Sequence, residues 1–197
     1  MRVLIACEFT GTVRRAFTAL GHEAWSCDLL PAEDGGAHLV GDVLPHLAQG
    51  WDLMIAHPPC TYLASSGIHW NARRPERAAL TDAAVAFVKQ LMDAPIPQIA
   101  VENPIGVLSS RIRKPDQIIQ PWQFGHDASK ATCLWLKGLP KLTPTNVLPG
   151  GKAARRANQT ASGQNRLPPS PDRWKLRAAT YHGIAAAMAA QWGRQDD

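Results

Sequence analysis

The chain has 197 residues, a formal net charge of +5 and a sequence pI near 9.3. With 45% hydrophobic residues it can bury the core of one folded domain. It has no apolar run close to the ~20 residues of a membrane helix, so we expect a cytoplasmic protein without a membrane partner. Its four cysteines form no C-x-x-C pair, which argues against a metal site and against a disulfide framework.

Apolar periodicity predicts strands that alternate with helices along the chain. Predicted strands cover residues 2–6, 23–27, 38–40, 51–56, 96–101 and 130–136, and predicted helices cover residues 12–20, 78–92, 105–113 and 181–192. This alternation predicts an α/β fold, a single Rossmann-like domain whose mostly parallel sheet has helices on both faces. Residues 138–177 are basic and rich in Gly and Pro, so we assign the core to residues 1–137 and 178–197.

Polar residues follow three of the predicted strands. The turn Phe9-Thr10-Gly11 comes after the first strand, and its glycine lets the backbone approach a ligand at a helix N-terminus. Asp28 ends the second strand, where a carboxylate can accept both hydroxyls of a ribose. Asp42 follows the third strand, where it can accept from an adenine amino group or cap a helix. A turn with one glycine favours a nucleoside without a diphosphate, such as S-adenosylmethionine, although a generic α/β unit has the same pattern.

A cysteine and a carboxylate follow the next two strands. Residues 53–56 lead to Pro58-Pro59, which cannot continue a ladder of hydrogen bonds, and Cys60 comes next. Glu102-Asn103 ends the strand 96–101, where a buried carboxylate is costly unless it is paired or used. Because ligands of α/β sheets bind at such strand ends, we predict that Cys60 is a nucleophile and that burial raises the pKa of Glu102 for acid–base work. A structural cysteine and a paired structural glutamate are the alternatives.

Basic residues are concentrated in two segments beside these positions. The segment after Cys60 contains His69, Trp70, Arg73, Arg74 and Arg77, and the segment 138–177 contains Lys152, Arg155 and Arg156. We predict that these residues contact a nucleic acid, with Lys and Arg on phosphates and His69 or Trp70 stacking on a base or filling a gap in the duplex. A solvated surface, or packing for the two aromatic residues, is the alternative.

Together, these strand ends resemble the motifs of the DNA cytosine-5 methyltransferases. Over residues 3–136, Phe9-Thr10-Gly11 resembles the family's cofactor turn, Pro58-Pro59-Cys60 its nucleophile signature and Glu102-Asn103 its Glu-Asn pair. The resemblance implies DNA as partner and S-adenosylmethionine as cofactor. It implies a cofactor site of Phe9, Thr10, Gly11, Asp28, Leu29, Asp42, Val43 and Pro58, and a catalytic set of Cys60, Glu102, Asn103 and Lys130. Tyr181-His182-Gly183-Ile184 is weakly similar to the family's last motif.

The chain departs from the family pattern at several positions. Val13 and Arg14 replace later glycines of the cofactor turn, and His57 replaces the glycine before Pro-Pro. Lys130 is the one basic residue where the family has Gln-x-Arg-x-Arg, and Arg73 or Arg74 could substitute for the missing arginine. A large recognition domain is also missing, which resembles compact phage-encoded enzymes acting in a host cytoplasm.

The resemblance implies a defined reaction. A Cys60 thiolate would add to carbon 6 of a flipped cytosine, so that carbon 5 could attack a methyl sulfonium, while Glu102 offsets charge on the ring. Three alternatives stay open. One is a folate-dependent methylase or hydroxymethylase of free pyrimidine nucleotides, one is a non-catalytic nucleic-acid-binding protein with the same fold, and one is methylation of RNA.

Overall fold

A computed structural model of the chain describes residues 1–162 and 165–194. Within these ranges seven strands form one sheet in the order β3-β2-β1-β4-β5-β7-β6. The strands are β1 (Arg2–Ala6), β2 (Glu23–Asp28), β3 (His38–Val40), β4 (Leu53–Ala56), β5 (Gln98–Pro104), β6 (Gln117–Ile119) and β7 (Thr132–Lys137). The first five pair in parallel, and β7 is antiparallel to both of its neighbours.

Helices connect the strands and cover the sheet. The α-helices are α1 (Thr12–Thr18), α2 (Ser65–Ile68), α3 (Pro75–Met92), α4 (Leu108–Arg111), α5 (Arg173–Ala178) and α6 (His182–Trp192). Short 3₁₀ helices cover Leu44–His46, His69–Ala72, Pro121–Gln123 and Gly151–Ala153. No helix in the described part of the chain is long and apolar enough to cross a membrane.

Alternate residues of the central strands feed two separate cores. On one face, Met54 and Ala56 of β4 belong to a cluster with Val85 and Val88 of α3. On the other, Leu53 and its strand neighbours pack with side chains of α1 and α6. This is the period-two alternation expected of strands that are buried on both faces, and it confirms the predicted α/β fold with a mostly parallel sheet and helices on both faces.

The structure corrects several predicted elements. Residues 65–72, predicted as part of a loop, form α2 and a 3₁₀ helix, and the strand β6 and helix α5 were not predicted. These pieces bury at most one residue each, so no apolar run or hydrophobic period marks them in the sequence. The predicted helix 105–113 is reduced to the single turn α4. β5 extends to Pro104, and the next three residues form the turn that leads to α4.

Candidate active site

The carboxyl ends of β4 and β5 bring the predicted nucleophile and carboxylate to one edge of the sheet. Ala56 is paired with Val101 in parallel register, so the chain leaves β4 beside Glu102, which continues β5 and pairs with β7. Buried Asn103 donates from Nδ2 to the carbonyl oxygen of Pro58, with a donor–acceptor distance of 2.8 Å. This bond ties the Pro-Pro turn to the strand that carries Glu102, and it gives Asn103 the position of a loop anchor.

The turn after Cys60 is held against the segment that follows β5. The backbone N–H of Ser65 donates to the carbonyl oxygen of Ile105, and that of Val107 donates to the carbonyl oxygen of Leu63, at 3.0 and 2.9 Å. Gly106 lies between these bonds, and a Cβ there would clash with the Leu63 carbonyl, so the close approach requires glycine. Cys60 itself is exposed. The thiol is therefore carried on a turn that is fixed to the neighbouring strand end and open to solvent.

Glu102 is paired with His57, the residue that replaces glycine in the family pattern. Nδ1 of His57 lies 3.2 Å from Oε2 of Glu102, and the two side chains are 9% and 18% exposed. Desolvation by burial raises the pKa of Glu102. The hydrogen bond from His57 lowers it, as do the charges of His57 and Lys130 and a hydrogen bond from Thr132. These effects together outweigh desolvation, so the pKa of Glu102 is lowered. The predicted raised pKa is therefore wrong, because burial comes with a partner: Glu102 is ionised at neutral pH.

The other nitrogen of His57 has no hydrogen-bond partner among the described residues. Because an ionised carboxylate only accepts hydrogen bonds, Nδ1 of His57 carries a proton toward Glu102. Nε2 is shielded from solvent, and no described residue lies within hydrogen-bonding reach of it. The His57 side chain also lines a cavity of about 20 Å³, together with Cys7, Glu8, Phe9, Thr10, Ala178 and Thr180. The imidazole thus connects Glu102 to the predicted cofactor turn.

The N-terminus of α1 is already occupied by a carboxylate. Gly11 adopts a left-handed conformation with φ of 67°, which turns the chain into α1. Buried Glu8 accepts from the backbone N–H groups of Val13 and Arg14 at 2.7 and 3.2 Å. A pyrophosphate would need these donors, so the site suits a nucleoside without a diphosphate. Glu8 was not among the predicted site residues, because its partners are backbone N–H groups, which no pattern of side chains in the sequence reveals.

Arg14 connects the start of α1 with the loop that follows β2. Its buried guanidinium pairs with Asp34, as does that of Arg15. The backbone N–H of Glu33 donates to the Phe9 carbonyl at 3.0 Å. The loop 29–37 is therefore fastened over the start of α1.

Asp28 and Asp42 lie at neighbouring strand ends, as predicted, but each is already used locally. Their Oδ1 atoms accept from the backbone N–H groups of Leu30 and Leu44, both at 3.0 Å. After desolvation, the charge of Asp28 is the next cause that raises the pKa of Cys7 to about 12, and Asp42 contributes as well. Both carboxylates therefore lie near the end of β1, and each keeps a second oxygen for a ligand.

Among three other predicted cofactor residues, one side chain is exposed and two are buried. Leu29 is 76% exposed and free to cover a ligand, whereas the Val43 side chain is buried in the apolar core. Phe9 is also buried, with its ring 5.8 Å from that of Trp174 in α5. The side chain of Val43 is thus not available to a cofactor, and that of Phe9 is covered by α5. No sequence signal pointed to Trp174.

Lys130, the last residue of the predicted catalytic set, lies near the carboxylate of Glu102. Its charge contributes to the lowered pKa of Glu102, after the effects of His57. Its Nζ donates to the carbonyl oxygen of Arg177 at 2.8 Å, which joins the end of α5 to the start of β7. Among the described residues no cluster of His, Cys, Asp and Glu side chains is placed to hold a metal ion.

The predicted nucleic-acid residues after Cys60 form an exposed aromatic and basic cluster. The guanidinium carbons of Arg73 and Arg74 lie 5.9 and 5.1 Å from the centre of the Trp70 ring, and the centre of the His69 ring lies 5.0 Å from it. Trp70 is 41% exposed. Arg77 points the other way, donating to the carbonyl oxygens of Gly67 and Thr61. It places a positive charge beside the Cys60 turn.

The second basic segment is less uniform than predicted. Lys152 and Arg155 are exposed, but Arg156 is 5% exposed. Its guanidinium donates to the carbonyl oxygen of Gly151 and lies over the ring of Trp122. The prediction that Arg156 contacts phosphates is wrong, because its side chain is buried against the rest of this segment.

No protein-family profile matches the sequence, and no curated protein matches it significantly. The chain is similar to a solved structure from an Escherichia coli prophage, described as a candidate DNA modification methyltransferase, with 12% identity and a TM-score of 0.47. The match covers 76% of this chain and 52% of that one, so this chain spans about half the length of its neighbour. A candidate NAD-dependent epimerase/dehydratase from Methylobacillus flagellatus has 21% identity and a TM-score of 0.31, over 61% and 41% of the two chains. At these values neither similarity carries a functional argument.

Proposed function

We propose that the protein transfers a methyl group from S-adenosylmethionine to carbon 5 of cytosine in DNA, through a covalent adduct between Cys60 and carbon 6. The observation that carries this proposal is the fixed relation of two strand ends. Cys60 is an exposed thiol on a turn that Asn103 and Gly106 fasten to the strand of Glu102. The resemblance to the cytosine-5 methyltransferases rests on the same residues.

Cys60 and Glu102 would have different roles in the reaction at the cytosine ring. The Cys60 thiolate forms a bond to carbon 6, and the electron pair of the ring double bond moves toward carbon 5. Glu102, ionised in the free protein, takes up a proton from solvent when the base binds and shares it with ring N3, which offsets the negative charge on the ring. Arg77, hydrogen-bonded to Thr61, supplies positive charge beside the thiolate. When bound, the cofactor supplies the electrophilic methyl group.

The residues at the carboxyl ends of β1, β2 and β3 are of the chemical types that would bind this cofactor. Asp28 and Asp42 offer carboxylates for a ribose and an adenine amino group, and Glu8 excludes a diphosphate from the helix N-terminus. The cavity beside Phe9 is about 20 Å³, close to the volume of one water molecule. Binding a nucleoside would therefore displace α5, which closes this side of the site.

A DNA substrate would meet the exposed cluster of His69, Trp70, Arg73 and Arg74. Chemistry on a base requires that it leave the stack. An exposed indole flanked by two guanidinium groups suits both tasks, since the ring can stack on bases and the cations can bind phosphates. We therefore assign this cluster to DNA and the strand ends of the core to the reaction.

The test is transfer of a labelled methyl group from S-adenosylmethionine to DNA, with RNA and free deoxycytidine monophosphate as parallel substrates. We expect label in 5-methylcytosine of DNA, none with Cys60→Ala, and retained activity in the control Cys27→Ala, which removes a buried core thiol. Label in RNA or in the free nucleotide alone would reject the DNA assignment. DNA binding without transfer would support the non-catalytic alternative.

A further inference from the structure

The pair of His57 and Glu102 engages only one of the two ring nitrogens of His57. Nδ1 of His57 is held by Glu102, while Nε2 is shielded from solvent and has no partner among the described residues. Leaving a buried polar atom unsatisfied costs about 1–3 kcal/mol, so an atom of this kind in a cleft calls for an explanation. Because Glu102 holds Nδ1 as the donor, the lone pair of the neutral imidazole lies on Nε2, and this form can accept a proton.

The position of this nitrogen matches a need of the proposed reaction. His57 lies between Glu102, which would face the ring of the base, and the turn of Phe9 and Thr10, which would face the methyl donor. Carbon 5 must lie between those two groups when it receives the methyl group. It then still carries its original proton, which a base must remove before Cys60 can leave.

We propose that His57 is the catalytic base that removes the carbon 5 proton, with Glu102 holding its ring in the required tautomer. The inference rests on the proposed function. In this step the C5–H electron pair forms the C5=C6 double bond, the C6–S bond breaks, and Cys60 leaves as a thiolate. The proton moves to Nε2 of His57, and the resulting imidazolium is stabilised by Glu102 before it loses the proton to solvent.

Charged and titratable groups on or beside the neighbouring strands are compatible with this role. The charge of Lys130, two residues before β7, acts on Glu102, and the pKa of Cys133 in β7 is raised by desolvation and by the charge of Glu102. Cys7 and Glu8 line the cavity from the β1 side. Glu8 is engaged by the backbone of α1, and the raised pKa of Cys7 keeps its thiol protonated at neutral pH. Of the side chains that line the cavity, His57 is thus the one that offers a free basic nitrogen.

The test uses His57→Asn, whose amide can still donate to Glu102 but cannot accept a proton. On ordinary cytosine DNA with S-adenosylmethionine, we expect turnover to fall about 10²–10⁴-fold, the usual contribution of a general base. A denaturant-stable protein–DNA adduct, absent from the wild type, should accumulate because methylation proceeds and release does not. Tritium release from [5-³H]cytosine DNA should fall with turnover.

Controls separate this inference from folding and from the proposed function. DNA containing 5-fluorocytosine forms its adduct without proton removal, so His57→Asn should trap it at a rate close to that of the wild type. His46→Asn, which removes an imidazole that contacts the exposed Gln49, should release tritium like the wild type. If wild-type protein traps 5-fluorocytosine DNA but His57→Asn turns over normally, or loses trapping and release together, the assignment of His57 as the base is overturned. If the wild type traps nothing, the proposed function itself fails.

Discussion

At the scale of single residues, the four cysteines differ in their surroundings. Desolvation, with the charges of Asp28 and Asp42, raises the pKa of Cys7 to about 12 and that of Cys27 to about 11. The pKa of buried Cys133 is raised as well, by desolvation and Glu102. Cys60 is exposed. The sequence alone could not rank these thiols, since their burial is decided by how β1, β2 and β7 pack.

This difference predicts selective alkylation. At about pH 8, where an ordinary thiol begins to ionise, iodoacetamide should modify Cys60 and leave the other three cysteines unmodified until the protein unfolds. Because a raised thiol pKa lowers the thiolate fraction, Cys7 should stay unreactive even in mildly alkaline buffer. Peptide mass spectrometry of native and denatured protein measures this. Equal labelling of Cys7 and Cys60 in the native protein would contradict it.

The lowered pKa of Glu102 predicts a stability effect with a defined sign. A carboxyl whose folded pKa lies below its ordinary 4.5 contributes stability above that value, and the contribution is lost as the pH falls through the folded pKa. His57→Ala removes the main partner, so desolvation would dominate and raise the Glu102 pKa. We expect this variant to lose about 1–3 kcal/mol at neutral pH.

The same variant should regain part of that stability in acid, where Glu102 is protonated and no longer needs its partner. Urea unfolding at about pH 7 and about pH 4 measures both effects. His46→Ala is the matched control, because its imidazole contacts an exposed side chain. A loss for His57→Ala that does not change with pH would show that His57 acts by packing alone.

At the scale of elements, the strands that form continuous apolar runs were predictable, and the short exposed pieces were not. β1, β4 and β5 are buried on both faces and show this as apolar runs, so their ends, and with them Cys60 and Glu102, could be placed from the sequence. The helix α5 has six residues, and none of its side chains is buried. Its role as a cover for Phe9 follows from a tertiary contact that no local pattern records.

This cover predicts movement of α5 on cofactor binding. Since the cavity beside Phe9 has room for about one water molecule, S-adenosylmethionine should separate Trp174 from Phe9 and change its fluorescence. The change should be absent in Trp174→Phe and retained in Trp70→Phe, which alters the exposed cluster after Cys60. Saturable cofactor binding with identical emission changes in both variants would mean that α5 stays in place.

At the scale of the whole molecule, the exposed basic residues that follow Cys60 belong to the segment that leaves the carboxyl end of β4. Arg73 and Arg74 precede α3, and Lys89 lies near the other end of the same 18-residue helix. Composition predicted a polyanionic partner but could not say which cations are free. In the sequence, Arg77 and Arg156 cannot be told apart from the other arginines. In the structure, their guanidinium groups donate to backbone carbonyl oxygens.

The cluster predicts salt-dependent DNA binding. The double variant Arg73→Ala/Arg74→Ala should bind more weakly and reduce the slope of log K against log salt by about 2, because two cations no longer neutralise phosphates. Lys89→Ala, an exposed cation away from the strand ends, should leave the slope unchanged. Fluorescence anisotropy over a salt series measures this. Equal slopes for the wild type and the double variant would remove the cluster from the DNA-binding surface.

The most direct measurement of the central claim is covalent trapping. Incubated with S-adenosylmethionine and DNA that contains 5-fluorocytosine, the protein should form a denaturant-stable adduct, and peptide mapping should place it at Cys60. Cys60→Ser should form none while keeping its affinity for DNA. An adduct at another residue, or no adduct from folded protein that binds both DNA and cofactor, would contradict the proposed mechanism.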